Sequence, residues 1–139
     1  MGYSVPPPNP FAVAVTCIDG RTHEPLVRWV RDQFHADHVD LVTQPGADAA
    51  LSTCSRGVCD GIRERLCVSV TAHASRVVVI AGHDDCAANP VSAEEHRRDI
   101  ASAVQEVEGW NLGTTVVGVW IDHEGRVSRV TDVETVAAD

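Results

Sequence analysis

Apolar residues along this chain come in two textures. Two runs, Phe11-Ala12-Val13-Ala14-Val15 and Val77-Val78-Val79-Ile80-Ala81, are continuous and rich in small or β-branched side chains. Short uninterrupted runs of this kind fit strands buried on both faces of a parallel sheet. Elsewhere the apolar positions recur every three or four residues, the spacing of one helix face. The pattern predicts strands over about 11–17, 39–43, 76–82 and 115–121, and a short fifth over 126–130 that returns antiparallel after the Glu124-Gly125 turn.

Helices are expected between them. Thr22 can cap one over about 23–35, with Leu26, Val27, Val30 and Phe34 on one face and Pro25 tolerable in the first turn. After the Pro45-Gly46 break come a short helix near 47–54 and a longer one near 58–74 whose Val58, Ile62, Leu66 and Val70 should face the core. Ser92 followed by Glu95 is a capping-box signature, and it opens a helix to about 108 with Ile100, Ala103, Val104 and Val107 on one side. Strands that alternate with helices until a final hairpin mean an α/β fold: a mostly parallel four-stranded sheet flanked by helices, with one antiparallel edge strand. The Pro-rich opening reads as an extended arm over 1–10, and residues 11–139 as a single domain.

Bulk properties narrow the function. With 139 residues the chain can bury a core without staples, and with 4% aromatics that core must be mostly Val, Ala, Leu and Ile. The formal charge is −9, all basic residues are Arg, and no basic cluster exists, which argues against nucleic acid and anionic membranes as partners. No apolar stretch approaches the roughly 20 residues of a membrane span. Met1 to Pro10 has neither a charged n-region nor an apolar h-region, so a cytoplasmic location is expected. The cysteine count, five, is odd, and with no secretory leader a disulfide framework is not expected.

The chemistry lies at the ends of the two continuous runs, in Cys17-Ile18-Asp19-Gly20-Arg21 and His83-Asp84-Asp85-Cys86. If the two strands are neighbours, these fragments meet at the C-terminal edge of the sheet, where open α/β sheets place ligand sites. Two thiolates and an imidazole there make a three-ligand metal site with one position open, the arrangement of catalytic zinc, although a thiolate–imidazole site also accepts other soft divalent ions. Taken singly, Cys17 and Cys86 are best read as small buried hydrophobes and His83 as a core histidine; together at two strand ends they favour metal. Cys54, Cys59 and Cys67 have no neighbouring His and read as buried or idle thiols. Asp84 and Asp85 read as hydrogen-bonded loop carboxylates, Glu94-Glu95 as first-turn charge, and His23, His73, His96 and His123 as surface residues. Gln44 and Gly46, following the second strand, are candidate lining for a substrate pocket.

Cys-x-Asp-x-Arg at one strand end and Gly-His-x-x-Cys at a later one, in this order, resemble the β-class carbonic anhydrases. Pro45-Gly46 stands where that family usually has Ala-Gly, and Val117-Gly118-Val119-Trp120 leading through Glu124-Gly125-Arg126 is similar to its last strands. The resemblance covers about 11–130 and is nearest to a small, divergent branch of the family. It implies one Zn2+ per chain on Cys17, His83 and Cys86, with Asp19 and Arg21 as the catalytic dyad. It further implies a zinc lyase that interconverts CO2 and bicarbonate through attack by zinc-bound hydroxide, assembled as a homodimer or larger homo-oligomer. In the dyad, Arg21 would hold Asp19 ionised and in place; an unpaired Asp19 could instead occupy the open metal position. Three features depart from the family: Gly20 where Ser is usual, Ala87 after Cys86 where Gly is usual, and an N-terminal arm of only about ten residues. They leave two alternatives open, a hydrolase of another heteroallene such as COS or CS2 on the same site, and a metal-binding or regulatory module without turnover.

Overall fold

A computed structural model describes residues 10–130. The Pro-rich arm, apart from Pro10, lies outside these residues. In chain order the elements are β1 (Phe11–Thr16), a 3-10 turn (Gly20–Thr22), α1 (His23–Phe34), β2 (His38–Thr43), α2 (Ala47–Thr53), α3 (Arg56–Ala72), β3 (Val77–His83), α4 (Ala93–Glu108), β4 (Thr115–Ile121) and β5 (Val127–Arg129). The sheet order is β2-β1-β3-β4-β5, parallel throughout except for β5 against β4. The expected four parallel strands are therefore present, and the antiparallel edge strand makes a sheet of five.

The continuous apolar runs pack on both faces because their alternate residues point to different cores. Val13, Val15, Val78 and Ile80 join Leu51 of α2, Ile62 and Leu66 of α3 and Val104 and Val107 of α4. Ala12, Ala14, Val79 and Ala81 join Leu26 and Val30 of α1 together with Val117, Val119 and Ile121. One helix thus covers one face and three cover the other. Each Leu, Ile or Val so enclosed contributes about 1.5–3 kcal/mol, and β1 and β3, at the centre, are buried on both faces.

That pair also fixes the site. Val13 is opposite Val78, Ala14 opposite Val79 and Val15 opposite Ile80. β2 lies on the far side of β1 and β3 on the near side, so the order reverses between β1 and β3 and leaves the crevice that α/β sheets use for ligands.

Several details differ from the sequence expectation. On α3 the buried stripe is Cys59, Ile62, Leu66 and Ser69, while Val58 is exposed and Val70 half-buried: the helix is rotated so that the polar Ser69 faces inward. Ser69 is satisfied there by the Asp40 carboxylate at 2.6 Å and the Ser75 hydroxyl at 2.7 Å. Thr22 occupies the N-cap position of α1 but makes no side-chain capping bond; its hydroxyl donates to the Asp19 carbonyl at 2.9 Å and accepts from Thr16 at 3.0 Å, locking the loop after β1. Ser92 does cap α4, accepting the Glu95 N–H at 3.1 Å.

The largest correction concerns sulfur. Cys54, in left-handed backbone at the end of α2, is disulfide-bonded to Cys59 in the first turn of α3. The bond spans the break between the two helices, and neither residue is an idle thiol. Cys17, Cys67 and Cys86 are free. Alkylation of the denatured, chelator-treated protein without reductant should therefore modify three of the five cysteines, and all five after reduction, as counted by intact mass. Five labels without reductant would show that the pair is not oxidised.

Candidate metal centre

Cys17 directly follows β1, His83 is the last residue of β3, and Cys86 sits three residues further on. All three are buried. The two sulfurs, 69 positions apart in the chain, lie 3.9 Å from each other, far beyond a disulfide bond. Two thiolates on one tetrahedral zinc at ~2.3 Å each are about 3.8 Å apart, so the pair is already at metal-bridging separation. Donor atoms of all three residues lie within 4.8 Å of one another.

The imidazole completes the argument. His83 Nδ1 donates to the Asp84 carbonyl at 2.7 Å. This fixes the tautomer and leaves Nε2 as the free acceptor, and Nε2 is buried without a hydrogen-bond partner. A buried polar atom without a partner is costly. Metal coordination satisfies it, and a backbone carbonyl on the other ring nitrogen is the usual support for a ligating His. The donor set therefore fits a soft divalent ion such as zinc.

Burial raises the Cys86 thiol above its ordinary value, and the adjacent Cys17 sulfur adds to this; the backbone N–H groups of Ala88 and Asn89 pull the other way. Asp85 adopts left-handed backbone with φ 57°, which an Asp tolerates, and this turns the chain so that Cys86 faces Cys17.

Asp19 and Arg21 form a forked pair. Arg21 Nη2 reaches Asp19 Oδ2 at 2.6 Å and Nε reaches Oδ1 at 3.0 Å, while the Arg21 backbone N–H donates to Oδ1 at 3.0 Å. These bonds, side chain first and backbone second, hold the Asp19 carboxyl far below the usual carboxylate range, and the same contact raises the Arg21 guanidinium. Arg21 also donates to the Asp85 carbonyl at 3.2 Å and its Nη1 lies 3.4 Å from the Asp85 carboxylate. It thus ties the loop of Cys17 to the loop of Cys86. Exposed ion pairs add little to stability; the consequence here is orientation, with Asp19 turned to Arg21.

A cavity of about 570 Å³ adjoins the centre, walled by Arg21, His83, Asp85, Cys86, Ile121 and His123 among others. Gln44 and Gly46 are not among its lining residues. Gln44 donates its backbone N–H to the Thr16 carbonyl at 3.0 Å, holding the end of β2 beside the Cys17 loop. Gly46, with φ 58°, is buried against Ala88, where a Cβ would stand 3.2 Å from the Ala88 Cβ. It packs behind the Cys86 loop.

Two histidines read as surface residues are otherwise engaged. His23 is half-buried and donates from Nε2 to the Cys17 carbonyl at 3.0 Å. His96 is wholly buried against Asp48. His73 and His123 are exposed, although His73 bonds Asp40 and His123 lies on the cavity wall. Neither unusual residue of the two motifs blocks the site: a Cβ on Gly20 would meet nothing within 4 Å, and Ala87 is exposed.

Metal uptake should be coupled to proton release. Cys86 must lose a proton that burial holds on it, so binding strengthens as pH rises, by about tenfold per pH unit for each proton displaced. Zinc titrations by calorimetry at pH 6 to 8, in buffers of different ionisation enthalpy, should show at least one proton released per zinc bound. An affinity flat across that range would remove the thiol from the ligand set.

Known proteins agree with this geometry in fold. The sequence profile described as "Putative carbonic anhydrase" matches residues 8–131. β-Carbonic anhydrase isoform I from Trichomonas vaginalis superposes with a TM-score of 0.61 at 17% identity, over 94% of this chain and 86% of that one. A carbonic anhydrase from Glaciozyma antarctica gives 0.59 at 17% identity, over 91% and 85%. One from Streptococcus mutans gives 0.53 at 22% identity, over 93% and 87%. No curated protein sequence matches the chain.

Proposed function

The chain belongs to the putative carbonic anhydrase family, and on that premise we propose that it interconverts CO2 and bicarbonate at one zinc ion held by Cys17, His83 and Cys86. The observation that carries this reading is the convergence of three donor atoms at the ends of neighbouring strands, with His83 Nε2 buried and otherwise unsatisfied. Zinc held by these three residues would lower the pKa of a bound water toward ~7 and so supply a hydroxide nucleophile at neutral pH.

The chain's own residues aim that chemistry. Asp19 acts as a hydrogen-bond acceptor beside the ligand Cys17, kept ionised by Arg21 at any pH where the site works. A nucleophile whose proton points at Asp19 presents a lone pair to the substrate carbon. Arg21 prevents Asp19 from swinging toward the thiolates by holding both carboxylate oxygens. Val91 and Ile121 give the cavity an apolar side suited to CO2, and the Arg21 guanidinium on its wall suits bicarbonate.

Stopped-flow CO2 hydration by zinc-quantified protein should exceed background and rise between pH 7 and 8.5. Arg21→Ala should lower kcat/KM roughly 10–100-fold, the usual effect of removing a group that orients a metal site. Zinc-replete protein inert to CO2 would overturn the anhydrase reading; turnover of COS or CS2 by the same sample would then reassign the substrate.

The reading extends to a homo-oligomer in the cytoplasm. Ile18, next to Cys17, is 62% exposed, an apolar side chain at the site's edge that a second copy would cover. No helix among the described residues is long and apolar enough to cross a membrane. Sedimentation velocity should show a dimer or larger, shifted toward monomer by Ile18→Glu; a wild-type monomer at micromolar concentration would exclude the assembly.

A further inference from the structure

Behind the Cys86 loop lies a buried polar cluster that plays no part in the chemistry above. Asp48, in the first turn of α2, and His96, in the first turn of α4, are 2% and 1% exposed, and His96 Nδ1 donates to Asp48 Oδ2 at 2.6 Å. Asp48 Oδ1 accepts the Ala49 N–H at 2.9 Å. Between these helices stands the buried Asn89, whose Nδ2 donates to Asp48 Oδ1 at 3.2 Å and to Asp99 Oδ2 at 3.0 Å. Nδ2 is also 3.4 Å from His96 Nδ1, but that nitrogen directs its hydrogen to Asp48. The two amide hydrogens of Asn89 therefore go to two carboxylates on two different helices.

Both ends of the cluster reach candidate metal ligands. On the β3 side, a Cβ on Gly82 would lie 2.5 Å from Asp48 Oδ2 and 2.8 Å from Ile100 Cδ1, so Asp48 abuts the strand directly before His83. The His96 ring packs 5.3 Å from that of Trp120, which is the register partner of Gly82 on β4. On the loop side, the Asn89 backbone N–H donates to the Cys86 carbonyl oxygen at 3.3 Å, closing the turn that carries the Cys86 side chain. The loop from Asp84 to Ser92 has no helix or strand of its own, so its backbone needs such side-chain anchors to stay in one place.

We propose that Asn89 is a positioning residue for the metal centre. Clamped between Asp48 and Asp99, its side chain fixes the turn from Cys86 to Asn89, closed by the Asn89 N–H on the Cys86 carbonyl, and with it the place of the Cys86 sulfur. Asp48 at the same time braces the strand end that carries His83. The inference rests on the three-ligand reading above. Its physical basis is preorganisation: a loop already held in the binding geometry loses less freedom when the ion arrives.

A cluster that merely joined α2 to α4 would affect stability and leave the metal untouched, and this separates the two roles. Wild type, Asn89→Ala and Asp99→Ala are compared as full chains by zinc competition against a chromophoric chelator. Each is also compared by the thiolate-to-metal absorption of its cobalt form and by the thermal midpoint of the metal-free protein. Asn89→Ala should bind zinc about 10–100-fold more weakly, with an altered cobalt spectrum, and Asp99→Ala, which removes one of the two acceptors, should fall between it and wild type. Equal zinc affinity and an unchanged cobalt spectrum in Asn89→Ala, even with a lowered midpoint, would overturn the inference. If Asn89→Ala does not fold, Asp99→Ala, at a half-buried position, decides by the same two readouts. A wild type that takes up no zinc would remove the metal-centre reading and this inference with it; a wild type that binds zinc no better than its variants would remove this inference alone.

Discussion

Two sulfurs held 3.9 Å apart without a disulfide between them set the terms for everything around the site. Their approach requires β1 and β3 to be hydrogen-bonded neighbours, and the Val13–Val78 to Val15–Ile80 register delivers both strand ends to the same edge. A register slip of two residues would move one fragment along the sheet by roughly 6–7 Å, and the donors would no longer share an ion. The double-sided burial of these strands is therefore what makes the site possible. Val13, Val15, Val78 and Ile80 face one set of helices and Ala12, Ala14, Val79 and Ala81 the other, so a slip of one residue would exchange the two cores.

Around that pair the loops are held by polar groups, and the choice of group follows exposure. On the solvent side Arg21 spans Asp19 and Asp85, where a guanidinium can stay hydrated and still make a rigid two-pronged contact. On the protein side, where water is excluded, the Cys86 loop is held by a neutral amide, Asn89, directed at carboxylates. Leaving a buried polar group without its hydrogen-bond partner costs about 1–3 kcal/mol, so this interior device is costly to break. Gly82 is its steric consequence: the Asp48 carboxylate fills the space a Cβ would need.

Much of the fold was legible in residue order. Continuous Val-rich runs marked the central strands, three-and-four spacing marked α1 and α4, and Ser92 with Glu95 marked a helix start that holds. Where the reading missed, a polar residue had taken an apolar place. Ser69 faces inward on α3 because Asp40 and Ser75 satisfy it, and Val58 turns out as a result. His96 is interior because Asp48 waits 48 positions earlier in the chain. The signal for it was present only in hindsight: an Asp after Gly46-Ala47 and a His one turn into a capped helix carry no mark of each other. The Cys54–Cys59 bond was missed for a similar reason, since an odd cysteine count and the make-up of residues 1–10 say nothing about a tight break between two helices.

Sequence by itself determined the local chemistry and its strand context: Cys-x-Asp-x-Arg after one buried strand, Gly-His-x-x-Cys after another, and an α/β alternation that puts both at C-terminal strand ends. Periodicity and short-range spacing suffice for this because they act within a few residues. Only the tertiary structure decided which strands are neighbours, that His83 Nε2 is left without a partner, that Arg21 reaches Asp85 on the other loop, and that Asn89 is anchored to two helices. Those are relations between distant segments, set by which pairings bury apolar area while satisfying most of the enclosed polar groups. No window along the chain contains both members of such a pair.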